Sequence, residues 1–165
     1  MIQESEMSMK SRNAKPEDVV MKFVEGFNRH DGSVMDLFTK DSTWLDPGAL
    51  EPEGGWERMQ KGVLSAYKVF PDIRLEPSHI MATGDWVCFE GMISGTYKGG
   101  KWFVNGIERN LPPGDRFGKL STAWFFRVNA DGLISYWSFY WDNLRFLAQI
   151  GLRPEQFGMS PNQSQ

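Results

Sequence analysis

A single cysteine, Cys88, leaves no partner for an internal disulfide and points to a reducing compartment, the cytoplasm. There are two histidines, His30 and His79, far apart in the chain, so no zinc-ligand spacing exists and no metal or other cofactor is expected. No window supplies the ~18 apolar residues that a membrane span needs. The polar start MIQESEMSMKSRN lacks the apolar core of a signal peptide. Basic excess is also missing: 18 Lys and Arg stand against 21 Asp and Glu, a net charge of −3. Nucleic acid calls for a clustered basic face, and an anionic membrane for a Lys/Arg-rich amphipathic helix, so neither is expected as a partner. The glycine pairs join no strand to a helix in the pattern of a phosphate loop.

What the chain has in quantity is aromatic. Seven Trp and 12 Phe lie among 165 residues, crowded in AWFFRV and ISYWSFYW. Most such rings are core by default, but strands rich in them can also line a site for a flat apolar ligand. Pro16, Glu17 and Asp18 make a first helical turn, and Val19, Val20, Phe23, Val24 and Phe27 follow at helical spacing until Gly32. Ser33 is read as the cap of a second short helix, and Ser42 to Asp46 as a short strand stopped by Pro47 and Gly48. Trp56, Met59, Val63 and Tyr67 give a third helix. After Pro71 the period changes to two, with strands from Ile73, over Trp86 to Tyr97, Lys119 to Val128, and Leu133 to Trp141. Between them Lys98 to Phe117, rich in Gly, Pro and charge, reads as a long structureless lid. A last helix carries Leu144, Phe146, Leu147 and Ile150. Cys88 alternates with apolar neighbours and reads as a small buried hydrophobe. The order gives an α+β fold: a cone-shaped, curved antiparallel sheet packed by three N-terminal helices, in one domain over 16–152 with flexible tails at 1–15 and 153–165.

Several strings in this order resemble the SnoaL-like polyketide cyclases, within the nuclear transport factor 2-like superfamily. They are FNRHDGSVMDLFTKDSTWLDPG, Phe70-Pro71-Asp72, GDWV, GTYKG, LPPGDRF, DGLISYW and WDNLRFLAQIGL. The resemblance implies an apolar pocket inside the cone and acid/base chemistry by a carboxylate.

Two carboxylates match. Asp46 precedes Pro47, where an Asx-turn accounts for it on local grounds; the resemblance to the related ketosteroid isomerases implies a pocket base. Asp142 precedes the last helix, where an N-cap accounts for it; the resemblance implies the acid/base of ring closure. Trp124 stands where those isomerases carry an acidic oxyanion donor, which argues against steroid isomerisation. Gly91, Ile93 and Phe139 stand where limonene epoxide hydrolases carry an Asp-Arg-Asp triad, which excludes that route.

The expected function is cofactor-free proton transfer on an apolar carbonyl compound, by Asp142 or Asp46. Trp44, Trp124, Phe126, Phe139 and Trp141 are expected to bind the small apolar substrate. The alternative is a binding module that holds such a ligand without transforming it. A homodimer is also expected, covering outer-face aromatics such as Trp102 or Trp137.

Overall fold

A computed structural model of the chain describes residues 14–47, 49–104 and 107–157. The expected N-terminal tail up to residue 13, the C-terminal tail from 158, and Gly48 lie outside them. Helix α1 (Pro16–Arg29) begins with Pro at its first turn beside Glu17 and Asp18, and ends on His30 in the left-handed conformation. Its Val19, Val20, Phe23, Val24 and Phe27 form the buried stripe. A 3-10 turn (Gly32–Leu37) follows. Its cap is Asp31, whose carboxylate accepts from Ser33 N, and not Ser33 as the sequence reading had it. The middle one of the three expected helices is therefore this tight turn.

Strand β1 (Phe38–Leu45) and the two-residue β2 (Glu53–Gly54) lead into α2 (Trp56–Val69), which buries Met59, Val63 and Tyr67 at spacings of four. Then come β3 (Arg74–Thr83), β4 (Trp86–Tyr97), β5 (Gly100–Val104), β6 (Ile107–Leu111), β7 (Arg116–Val128) and β8 (Ile134–Tyr140). Helix α3 (Asn143–Ile150) and a 3-10 turn (Pro154–Phe157) close the described chain. One six-stranded sheet runs β2-β1-β8-β7-β4-β3, and helices pack against its concave face. Its strands are antiparallel except where β1 lies parallel to β8, bringing Trp44 opposite Trp137. This is the expected curved-sheet α+β cone, with one parallel pair in the sheet.

Phe23 is the hub of the core. Its ring centroid lies 5.0–5.8 Å from those of Phe27, Phe38, Trp124, Phe126 and Trp137. Each such pair contributes about 0.5–1.5 kcal/mol beyond the area it buries. The ring network therefore fixes how α1 sits across β7 and β8.

Four expectations change. Lys98 to Phe117 is no structureless lid: it holds the β5-β6 hairpin, and Phe117 belongs to β7. Gly99 makes the hairpin possible, because its φ of 79° is left-handed and an added Cβ would sit 2.3 Å from Pro112 O. The hairpin is docked on α2 through Ser65, whose Oγ accepts from Phe103 N at 3.0 Å. Trp102 and Trp137 are buried inside the cone, because β5 faces α2 and Trp137 sits on the concave face. Cys88 lies half-buried on the convex face, opposite Met81 and Phe125. The C-terminal tail expected from 153 also begins with an ordered turn, whose Phe157 packs on Trp102 and Phe146. No helix of the described residues is long and apolar enough to cross a membrane.

Candidate active site

Strand alternation puts Trp124 of β7, Trp137 and Phe139 of β8, and Trp44 of β1 on the concave face. Their registers bring them together: Trp124 pairs with Phe139, and Trp44 with Trp137. Trp124 and Phe139 stack at 4.7 Å and 21°, and Phe139 meets Trp141 at 5.0 Å. These rings wall a cavity of about 90 Å³. Helices α1 and α2 supply Phe27, Met59, Val63 and Ala66, and Ile73 and Ile93 line the β3-β4 side. The hairpin adds Trp102, Phe103 and Val104, and the C-terminal turn adds Phe157. A second hollow of about 40 Å³ shares Trp102, Trp141, Ile73 and Ile93 as walls.

Asp46 and Pro47 reach this cavity from the end of β1, and Asp46 is half-buried. Among the described residues Asp46 is the one carboxylate in the lining, set in a wall otherwise made almost wholly of rings and aliphatic groups. Its backbone carbonyl accepts from Ala49 N at 3.0 Å, the local turn that Pro47 favours.

Asn143 is the other polar group in the wall, and the sequence reading missed it. Its Oδ1 accepts from Trp141 Nε1 at 2.7 Å, and its Nδ2 donates to Pro47 O at 3.2 Å. One amide thus sets the Trp141 ring and ties the start of α3 to the turn that carries Asp46. No sequence signal marks it, because an Asn after an N-cap Asp is ordinary helix chemistry.

The other expected site residues fall differently. Asp142 is exposed and outside the lining; its Oδ1 accepts from Arg145 N at 2.9 Å, capping α3. Gln149 of the same helix clasps Lys119, accepting from its N at 2.7 Å and donating to its O at 3.0 Å. Phe126 is on the right face but wholly buried against Phe23, deeper than the cavity. Trp44, Trp124, Phe139 and Trp141 line the cavity. His30, which was not among the expected site residues, is outside the lining, its Nε2 2.5 Å from Ile73 O and its ring 5.3 Å from that of Tyr67. Burial, helped by the charge of Asp31, pushes the Tyr67 phenol well above its ordinary range, so it stays protonated. Among the described residues no group of three or more His, Cys, Asp or Glu is placed to hold a metal ion.

Comparison with known proteins agrees with this architecture. The family model described as the SnoaL-like domain matches residues 20–137. No protein of curated function matches the sequence. Among solved structures, IdmH from Streptomyces antibioticus, provisionally assigned as a polyketide cyclase, is 28% identical. The match covers 84% of this chain and 100% of that one, with a TM-score of 0.64. A provisionally assigned polyketide cyclase from Pseudomonas putida KT2440 superposes with a TM-score of 0.71 at 18% identity, covering 84% of this chain and 99% of its own. A provisionally assigned SnoaL-like polyketide cyclase from Jannaschia sp. CCS1 gives 0.70 at 15% identity, covering 84% and 93%.

Proposed function

The chain belongs to the SnoaL-like domain family, and we propose that it performs acid/base chemistry on an apolar carbonyl compound held in the aromatic cone. Asp46 takes the proton from the carbon next to the carbonyl. The C–H electron pair moves into an enolate, and the proton resides on the carboxyl. The enolate carbon then attacks a second carbonyl of the same molecule, closing a ring, or is reprotonated at another position. In either outcome Asp46 returns its proton and no electron is gained or lost, so the step needs no cofactor. An apolar wall favours this chemistry to the extent that a bound ligand displaces water, which would quench the enolate.

The observation that carries the reading is the carboxylate of Asp46, the one carboxylate that the described residues place in a cavity wall of Trp, Phe and aliphatic side chains. The likeness to IdmH supports a polyketide-derived substrate. Asp142 serves in this account as the cap of α3, not as the proton carrier, because it lies outside the lining. Deuterium exchange at the α-carbon of 2-tetralone, compared between wild type and Asp46→Asn, tests the proposal. A protein that binds the ketone without exchanging it is the binding module instead.

A further inference from the structure

Strands β1 and β8 run parallel, and their register ends with Leu45 opposite Ser138. Asp46 and Pro47 follow directly on β1, and Trp141 follows Tyr140, the last residue of β8. All three line the cavity, and all three stand past the last paired residues of their strands. The sheet ladder that fixes Trp44, Trp137 and Phe139 does not extend to them.

The side chain of Asn143 spans that gap. Its amide carries two N–H donors and an oxygen with two lone pairs. Oδ1 accepts from Trp141 Nε1 at 2.7 Å, and Nδ2 donates to Pro47 O at 3.2 Å. An indole N–H only donates and a carbonyl only accepts, so the two partners fix which way round the amide lies. An Asp here would turn an acceptor towards Pro47 O, and a Leu would leave both partners unmatched. Within the turn, Asp46 O accepts from Ala49 N at 3.0 Å and the Pro47 ring fixes its own φ. The Asn143 bond ties this turn to α3, 96 residues further along the chain.

From this we infer that Asn143 is the positioning residue of the base, holding the Asp46-Pro47 turn in place against Trp141. The inference rests on the proposed function and adds to it the residue that aims Asp46. Asn143 moves no proton itself and acts through the turn. Trp141 is a wall of both hollows, so one amide sets the base and the ring beside which a ligand lies. Proton transfer needs the carboxylate within hydrogen-bond reach of the reacting C–H, and a misplacement of about 1 Å costs on the order of 100-fold in rate. With Pro47 O released, the turn loses its tie to α3 and the base samples positions of which few are productive.

Asn143→Leu, similar in size and unable to hydrogen-bond, tests the inference with 2-tetralone in deuterium oxide. Exchange at the α-carbon is measured against ketone concentration, and the rate is divided by the folded fraction from thermal unfolding. The expected result is a fall of at least about tenfold in the saturated rate, with KM within about twofold of wild type. A residue that merely supports the fold would leave the saturated rate per folded molecule unchanged, and that result overturns the inference. A raised KM with the rate retained also overturns it, because it assigns Asn143 to holding the ligand. If Asn143→Leu does not fold, Asn143→Ser takes its place with the same expectation, since its short hydroxyl cannot span both partners. Exchange lost in Asp46→Asn but kept in the Asn143 variant overturns the positioning role alone and leaves Asp46 as base. Wild-type exchange no faster than solvent overturns the proposed function and this inference with it.

Discussion

Asp142 Oδ1 accepts a 2.9 Å hydrogen bond from Arg145 N, three residues on, which makes it the N-cap of α3. Asn caps as well as Asp, so Asp142→Asn should leave both thermal midpoint and isotope exchange near wild type. Asp142→Ala should cost about 1 kcal/mol of stability, the usual value of a lost cap. Thermal unfolding and exchange on 2-tetralone check both. Exchange abolished in a stably folded Asp142→Asn would make Asp142 the proton carrier.

Trp102 is the removable wall of the site. The cavity of about 90 Å³ is smaller than the ~150 Å³ engineered cavity that admits benzene, so a polycyclic ligand must displace one side. The sheet cannot yield without breaking its ladder, whereas Trp102 sits on a separate hairpin and packs on Phe70, Phe146 and Phe157. Trp102→Leu should join the two hollows, raise affinity for naphthalene and cost about 2–4 kcal/mol of stability. Titration by calorimetry and denaturation by urea measure the two effects. Unchanged or weaker naphthalene binding would place the yielding wall elsewhere.

The sequence makes some of this legible and hides the rest for physical reasons. Helix α1 is readable because Pro16, two acids and an apolar stripe all give the same answer. The hairpin is not, because it pairs only with itself and buries few side chains, Trp102 and Leu111 among them. Strand alternation shows that Trp124, Phe126, Trp137 and Phe139 share a face. It does not show depth: Phe126 lies under Phe23, while Trp137 reaches the cavity. The parallel β1-β8 pairing joins residues about ninety apart and leaves no local trace, and it is what sets Trp44 beside Trp137. The Asp-Pro pattern makes Asp46 legible as a residue of the turn at the cavity wall; Asn143 is invisible because its partner Pro47 lies far away in the chain.

Asp72, from the Phe-Pro-Asp string, gives a pH-dependent term. Burial tends to raise its carboxyl, but hydrogen bonds from Thr96 N and Thr96 Oγ1, both 2.6 Å, outweigh this and hold it below the ordinary range. A depressed folded-state value contributes stability above the unfolded value of about 3.9 and loses it as pH falls through the folded value. Asp72→Ala should therefore be about 1 kcal/mol less stable than wild type at neutral pH. The gap should narrow in strongly acidic buffer, below the folded-state value. Urea denaturation at both pH values measures it; a constant gap would assign the effect to packing.

The convex sheet face carries Met81, Trp86, Phe125 and Tyr140, all exposed, with Phe125 and Tyr140 rings 5.9 Å apart. We propose a second copy of the chain as the cover of these exposed apolar side chains. Light scattering should return twice the 18.9 kDa chain mass, and Phe125→Glu should return one. A wild-type monomer at micromolar concentration contradicts the dimer.

The most direct measurement concerns Asp46. Wild type and Asp46→Asn are each incubated with 2-tetralone in deuterium oxide, and label at the α-carbon is followed by mass spectrometry beside an affinity titration. The substitution keeps the shape and an acceptor oxygen but removes the base. The account predicts that wild-type exchange exceeds the solvent rate, that Asp46→Asn returns to it, a loss of at least about 100-fold, and that affinity changes little. Wild-type exchange retained in a folded Asp46→Asn, or no exchange above solvent in wild type, would contradict the account.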